Sequence, residues 1–388
     1  REPVALNGSG RAPAGLTLES LEGVGSLADD SVHTVTIPGA VAAWAALSER
    51  FGRIGIEAAL APAIRFARDG WRTHPRVARD WAVAQARLAR GPGRETLLKD
   101  GTAPLAGDRM ESPALANTLA RIAREGARGF YEGEIAQQMA ARLAGLGGRH
   151  TVEDFAEARA EWTSPISAAY RDRRLVECPP NGQGLAALII ARVMSRFDLA
   201  DAALSAADRV HIHAEATKAG YRLRDAIVAD PEVSPVDVEA LLNDAAIDRL
   251  VSLINMQRAA APAVFDLPDH RDTVYLTVVD RDRNACSFIN SIFHPFGSTI
   301  MCGRTGVLFQ NRGLGFSLTP GHPNALAPRK RPMHTIIPGL IMKNERVETA
   351  FGVMGGQYQA AGHAQFLSRT VDLGEDPQQA AEAPRSFA

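Results

Sequence analysis

Through roughly the first 270 residues, apolar positions recur at three- and four-residue intervals, the period of an amphipathic helix. Ile37-Pro38-Gly39 precedes one such run, Val41 to Leu47, and a second covers Ile56 to Phe66 before Asp69-Gly70 ends it. Ser112-Pro113 opens a helix reaching Arg124, with proline at the first helical position, where a missing N–H costs nothing. Glu134 to Leu143 repeats the pattern and closes in Gly145-Leu146-Gly147-Gly148. Those glycines read as a helix C-terminus, because no strand precedes them and no Lys-Ser/Thr pair follows to make a phosphate loop. Strands are predicted at Ile166 to Tyr170 and Arg174 to Glu177, after which Pro179 to Gly184 turns the chain into an apolar helix, Leu185 to Met194. Helices follow at Ala207 to Ile227 and Val238 to Met256, separated by a proline-broken loop from Asp230 to Val236.

Ala259 to Arg271, with two prolines and mixed polarity, reads as a linker, and beyond it the texture changes. Thr273 to Val279 is β-branched and aromatic, Asp280 to Asn284 is turn-like, and Ala285 to Ile292 follows, so a hairpin is predicted. Further strands are expected at Gly306 to Phe309, Thr335 to Met342 and Val347 to Val353, then a helix from Gln357 to Val371. Helices, then antiparallel strands, then helices imply an α+β layered fold rather than a βαβ repeat.

Composition narrows the function classes. The 43 Lys+Arg and 44 Asp+Glu leave a net charge of −1, so no basic excess invites nucleic acid or an anionic membrane. No window approaches the apolar length of a membrane span. Only four of the 43 basic residues are lysine, leaving 43 − 4 = 39 arginines, which reads as genomic base composition. Three cysteines without a CxxC pair read as buried thiols rather than a disulfide scaffold. His211, His213 and Glu215 share the helix from Ala207, but i, i+2 spacing sends side chains to opposite faces, so solvated or capped histidines are expected rather than a metal site. No metal and no organic cofactor is called for. The chain begins at Arg1 rather than Met and closes at Ala388, so either terminus is expected to be incomplete. No signal peptide is visible, which points to the cytoplasm, with the periplasm the alternative if a leader preceded Arg1.

Candidate chemistry is sparse: there is no GxSxG elbow, no HExxH and no zinc spacing. What stands out is Asp272-Thr273, a threonine at the first position of a strand directly after a polar segment. On pattern alone Thr273 reads as a strand-initiating residue. If the chain were cut before it, its own α-amine, titrating near about 7.7–8.0, would become a base beside the hydroxyl.

Several segments together resemble the gamma-glutamyltransferase family of N-terminal-nucleophile hydrolases. They are DTVYLTVVD from Asp272, NACSFINSIFHPFGS from Asn284, QNRGLGFSL from Gln310, KRPMHTIIP from Lys330 and GVMGGQYQ from Gly352. The first half agrees, through TIPGAVAAW from Thr36, AIRFARDGW from Ala63, GFYEGEIAQQM from Gly129 and SPISAAYR from Ser164. The resemblance implies a four-layer αββα sandwich made as one precursor. Cleavage between Asp272 and Thr273 would give a large-subunit portion, residues 1–272, and a small-subunit portion, residues 273–388, which together form one domain. It further implies Thr273 as nucleophile, Ser291 as a second hydroxyl that orients it, and Gly355 and Gly356 as backbone N–H donors to the oxyanion. Relatives carry more sequence before Ser9 and after Pro384, so the 388 residues read as part of a longer precursor. A homo-oligomer of the processed pair is compatible with this reading.

The departures from the family pattern bear on the substrate. In glutathione-processing members, dedicated residues hold the γ-glutamyl α-carboxylate and α-ammonium. The carboxylate-binding arginine aligns with Ser9, a supporting Asn with Phe293, and the Gln and Asp that take the ammonium with Arg312 and Gly315. An adjacent serine pair is replaced by His334-Thr335, and the segment from Gly315 to His334 looks shorter than the usual lid. Losing the acidic partner and gaining Arg312 inverts the local charge, so an ammonium would be repelled there and a carboxylate held. The expectation is an amide hydrolase whose acyl group bears a carboxylate, bound by Arg312, His334 and Thr335, similar to the cephalosporin-acylase and oxamate-amidohydrolase branches. The alternatives are a gamma-glutamyltransferase acting on γ-glutamyl compounds and an unprocessed, non-catalytic relative that binds small acids or peptides. Arg312 could instead be structural, paired with a nearby Asp or Glu.

Overall fold

The computed structural model describes residues 2–261 and 273–387. Asp272, and with it the expected cleavage junction and most of the Ala259–Arg271 linker, lies outside the described residues. Strands β1 (Ile166–Tyr170) and β2 (Arg173–Glu177) form a hairpin, and the apolar helix α1 (Gly184–Met194) and the long helix α2 (Ala206–Ile227) follow it. Beyond the undescribed segment come a second hairpin, β3 (Thr273–Val279) and β4 (Ala285–Ser291), a third, β5 (Gly339–Lys343) and β6 (Arg346–Phe351), and helix α3 (Gln359–Val371). The sheet order is β6-β5-β2-β1, antiparallel throughout, with Ile341 opposite Leu175 and Leu175 opposite Ala168. Residues from both sides of position 272 therefore share one sheet.

Helix α1 explains how the main core closes. Every residue in it except Arg192 is buried, as expected of a helix apolar on all faces. It packs between the sheet and helices α2 and α3, and Leu188, Ile189 and Ile190 reach no solvent. On the sheet's other side lies the β3–β4 hairpin, which makes no ladder with it. Contact is through side chains: Ser287 donates to the Phe351 carbonyl at 3.2 Å, and the Tyr275 ring lies so close to Gly352 that a Cβ there would sit 2.4 Å from it. A second group of helices, including 40–51, 55–69, 113–125 and 133–144, builds its own core around Ile122, Met139 and Phe309. Helices and antiparallel strands combine in the expected α+β fold, with the hairpin and the second group of helices facing each other across a cleft.

Several sequence readings are corrected. The helix expected over Val238 to Met256 is two, Val238–Leu242 and Asp244–Val251. Asn243 divides them: its Nδ2 donates to the Ala240 carbonyl and its Oδ1 accepts from Ala246 N–H, which ends one helix and caps the next. The strand expected from Thr335 begins only at Gly339, because Pro338 has no N–H and the Ile337 N–H is taken by the Gln359 side chain. His213 is not solvated; it is buried, with Nε2 on the Ala361 carbonyl and Nδ1 on the Ser386 hydroxyl. Among the described residues no group of His, Cys, Asp and Glu could hold a metal, and no helix is long and apolar enough to cross a membrane.

Candidate active site

Thr273 and Ser291 are the terminal cross-strand pair of the β3–β4 hairpin. Directly opposite residues on one face of an antiparallel pair are neighbours by geometry. Thr273 is buried, and its hydroxyl donates to Ser291 Oγ at 3.4 Å, a long hydrogen bond. Ser291 Oγ also accepts the Phe293 N–H at 3.0 Å. That bond exists because Phe293 adopts φ 77°, a left-handed conformation rare for an aromatic residue, which doubles the chain back over the end of the strand.

The same turn supports Arg312. Its guanidinium carbon lies 4.4 Å from the centre of the Phe293 ring, and the ring is stacked in turn on His294. Arg312 opens a short 3-10 turn whose backbone is held by Gln310: the Gln310 Oε1 accepts the Arg312 N–H, while its Nε2 donates to the Thr36 hydroxyl at 2.6 Å. Arg312 is 6% exposed, and its guanidinium donates from Nη1 to the Thr335 hydroxyl at 3.0 Å. Its Nη2 has no hydrogen-bond partner, and among the described residues no carboxylate is paired with it. Burial alone pulls the Arg312 pKa down to about 9. The structural alternative of an arginine neutralised by a nearby Asp or Glu therefore has no partner among the described residues.

His334 is buried next to this group. Burial first, then the Arg312 and Arg331 cations, push its pKa down to about 3, so the ring is neutral and its Nδ1 is unpaired. Thr273, Ser291, Arg312 and His334 all line a cleft of about 2080 Å3, and Ser9 joins them on its wall. Thr335, Gly355 and Gly356 do not. Thr335 is bonded to the cleft residue Arg312 by its hydroxyl, and Gly356 is tied to it only indirectly, its carbonyl accepting from the buried Gln183 amide, which also donates to the Thr335 carbonyl. The paired glycines sit at φ 132° and 54°, and Tyr358 N–H donates to the Gly355 carbonyl at 3.0 Å. In a trans peptide that bond aims the Gly356 N–H the opposite way, out of the turn that starts α3. The sequence reading missed Phe293 as a support for Arg312 and missed Gln183 altogether; a polar residue in the Pro179–Gly184 turn was the one available signal.

The backbone around Gly315 leaves no room for a side chain. A Cβ at this position would lie 2.2 Å from the Met333 carbonyl oxygen, so no side chain fits. The segment 315–333 is drawn across by Asn324, which donates to the Gly315 carbonyl and accepts the Met333 N–H at 3.0 Å.

The gamma-glutamyltranspeptidase family model matches residues 1–388. The chain belongs to this family. The oxamate amidohydrolase proenzyme of Klebsiella pneumoniae is 35% identical over 391 residues, covering 99% of this chain and 73% of that protein. The glutathione hydrolase-like YwrD proenzyme of Bacillus subtilis is 34% identical over 381 residues, 98% of this chain and 72% of its own length. The crystal structure of a cephalosporin acylase from Bacillus halodurans superposes with a TM-score of 0.90 at 40% identity, over 98% of this chain and 71% of that one. Membership makes the chain an N-terminal-nucleophile amidohydrolase or acyltransferase, with the fold of its gamma-glutamyltranspeptidase relatives.

Proposed function

We propose that this family member hydrolyses amides whose acyl group carries a carboxylate and no ammonium. The observation that carries the reading is the buried Arg312, with one guanidinium nitrogen unbonded and no carboxylate partner among the described residues. An unpaired buried cation is costly, and an anionic substrate carboxylate would relieve that cost. The sealed position at Gly315 supports the same conclusion, since the space an ammonium-binding aspartate would need is filled by the Met333 carbonyl. The name of one relative, an oxamate amidohydrolase, fits an acyl group of this kind.

In this reading the precursor is cut before Thr273 into a 1–272 portion and a 273–388 portion, as the proenzyme names of relatives suggest. The freed Thr273 amine takes the hydroxyl proton as Oγ attacks the amide carbon. Ser291, opposite it, keeps the hydroxyl aimed. Gly355 and Gly356 N–H groups stabilise the oxyanion, the amine leaves with the proton, and water then hydrolyses the Thr273 ester. Arg312 and Thr335 hold the acyl carboxylate. His334, neutral across the working pH range, supplies a polar wall without charge competition. The test is hydrolysis of glutaryl-p-nitroanilide beside γ-glutamyl-p-nitroanilide. Preference for the glutaryl compound is expected; preference for the γ-glutamyl compound would overturn the reading in favour of a glutathione-processing activity.

A further inference from the structure

We infer that Gln183 is a positioning residue for this reaction: its side-chain amide locks the oxyanion turn to the segment that carries the carboxylate-binding arginine, and Arg224 fixes which way round that amide sits. The inference rests on the proposed roles of Gly356 and Arg312.

Gln183 is fully buried at the start of α1. Its Nε2 has two N–H donors and both are used, one on the Thr335 carbonyl at 2.7 Å and one on the Gly356 carbonyl at 3.0 Å. These acceptors lie on separate segments with distinct duties. Thr335 carries the Arg312 guanidinium on its hydroxyl, and Gly356 belongs to the turn whose N–H groups face developing charge. The backbone of Gln183 adds a third tie, donating its N–H to the His334 carbonyl at 3.1 Å. One residue thus joins the element that reads the substrate to the element that stabilises the transition state.

The amide has one workable orientation. Its Oε1 accepts from Arg224 Nη1 at 2.7 Å, and the same nitrogen donates to Gln357 Oε1 at 2.6 Å. A guanidinium offers donors only, so an amide turned over would set its NH2 against a cation and its oxygen against two carbonyls. Arg224 is itself fixed: it is buried, its Nε donates to Asp225 at 2.7 Å, and its guanidinium lies 4.3 Å from the centre of the Tyr221 ring. Tyr221 then donates its hydroxyl to the Gln357 carbonyl, the residue after the glycine pair. The outer side of the oxyanion turn is therefore gripped by Gln183, Arg224 and Tyr221 together.

The glycines give this grip its purpose. Consecutive glycines have no steric preference of their own for φ 132° and 54°, so the turn's geometry must be imposed by its partners. An oxyanion hole works only when its donors are fixed before charge develops.

The experiment compares Gln183→Glu, Gln183→Met and Arg224→Lys with the parent chain and with Arg312→Met. Each rate is divided by the amount of Thr273 N-terminus counted by mass spectrometry. Substrates are glutaryl-p-nitroanilide and the neutral pentanoyl-p-nitroanilide. Gln183→Glu keeps the pairing with Arg224 but sets an oxygen against two carbonyls, so kcat per N-terminus is expected to fall about 100-fold on both substrates, with KM rising for the glutaryl compound alone. Arg224→Lys shifts the same quantities the same way by less, and it reports even if a Gln183 variant fails to fold. Arg312→Met, the reference for lost carboxylate binding, raises KM for the glutaryl compound. If both Gln183 variants keep kcat within about threefold of the parent on both substrates, the inference is overturned. A parent that prefers γ-glutamyl-p-nitroanilide would instead overturn the carboxylate reading, and a kcat loss in Gln183→Glu on that substrate would still support the positioning role.

Discussion

In the four-stranded sheet Leu175 and Ile341 are 0% and 1% exposed, whereas in the hairpin that carries Thr273 the side chains of Val274, Leu276 and Val278 are 60%, 52% and 61% exposed. The sheet is pressed between helix α1 and the hairpin; the hairpin's alternate face meets the open cleft. The contrast separates two tasks. Every partner that fixes the glycine turn comes from the helical side: Gln183 from α1, Arg224 and Tyr221 from α2. Thr273, itself buried, and half-buried Ser291 sit at the end of the hairpin, on the wall of the cleft. A dry, close-packed layer holds the parts that must not move, and the hairpin presents the part that must react.

The largest effect should come from the hairpin side. Thr273→Ala is expected to abolish both the appearance of a fragment beginning at residue 273 and all acyl-amide hydrolysis, read by mass spectrometry and by p-nitroaniline release. Its thermal melting should stay close to that of the unprocessed parent. Activity surviving in Thr273→Ala would remove the nucleophile from the reading and with it the division of labour between the two elements.

On the helical side the expected loss is of stability. Ile189, with no exposed surface in α1, touches the core from every direction, and Ile189→Ala should cost about 2–5 kcal/mol in denaturant unfolding. A cost under about 1 kcal/mol would mean that the core collapses around the cavity and that the layer is softer than its packing suggests.

The boundary between the two elements is where Arg312 acts. Arg312→Met should raise KM for a carboxylate-bearing amide by roughly 10–100-fold, the worth of a charged hydrogen bond. Gly315→Asp is the converse: because of the Met333 carbonyl it should lose thermal stability without gaining γ-glutamyl activity. A gain of γ-glutamyl hydrolysis in Arg312→Gln/Gly315→Asp would show that the 315–333 segment yields.

Much of the fold was legible because it follows from patterning. The β1 strand falls where alternation put it, and α1 announces itself by an unbroken apolar run after a Pro-Gly turn. What escaped depended on partners distant in sequence. The helix Pro75–Arg90 went unread although Val77, Trp81, Ala84 and Leu88 recur at helical spacing, since only Ala84 and Leu88 of that stripe are buried and Val77 faces outward. The break at Asn243 needs one side chain to serve two helix ends. For the site, Thr273, Ser291, Arg312, His334, Thr335 and the glycine pair came from resemblance, not from pattern. Gln183 could not be found in either way, since its meaning lies in Thr335 and Gly356, respectively 152 and 173 residues away.

A pH experiment refines the contrast further. His334 is neutral in the folded chain down to about 3, while an unfolded histidine titrates near 6.5. Between those values the unfolded state binds a proton that the folded state does not, so stability falls as pH drops through this window. Replacing His334 by Gln should lessen that slope by one proton, about 1.4 kcal/mol per pH unit, while leaving the behaviour above pH 7 unchanged. Urea unfolding at pH 5 and pH 8 checks it. Buried His213 and His150, also shifted down by burial, keep part of the slope in the variant, so flattening to zero is not expected.

The smallest effect should be on the hairpin's open face. Val278 is 61% exposed and lines the cleft, so Val278→Thr keeps the β-branched shape, adds a hydroxyl that water can satisfy, and should change stability by no more than about 0.5 kcal/mol. Set beside Ile189→Ala, a near-zero value fixes the two elements at opposite ends of one scale. A loss above about 1 kcal/mol would mean that this face is covered in the folded protein in solution, and the hairpin would then have to be counted with the packed layer.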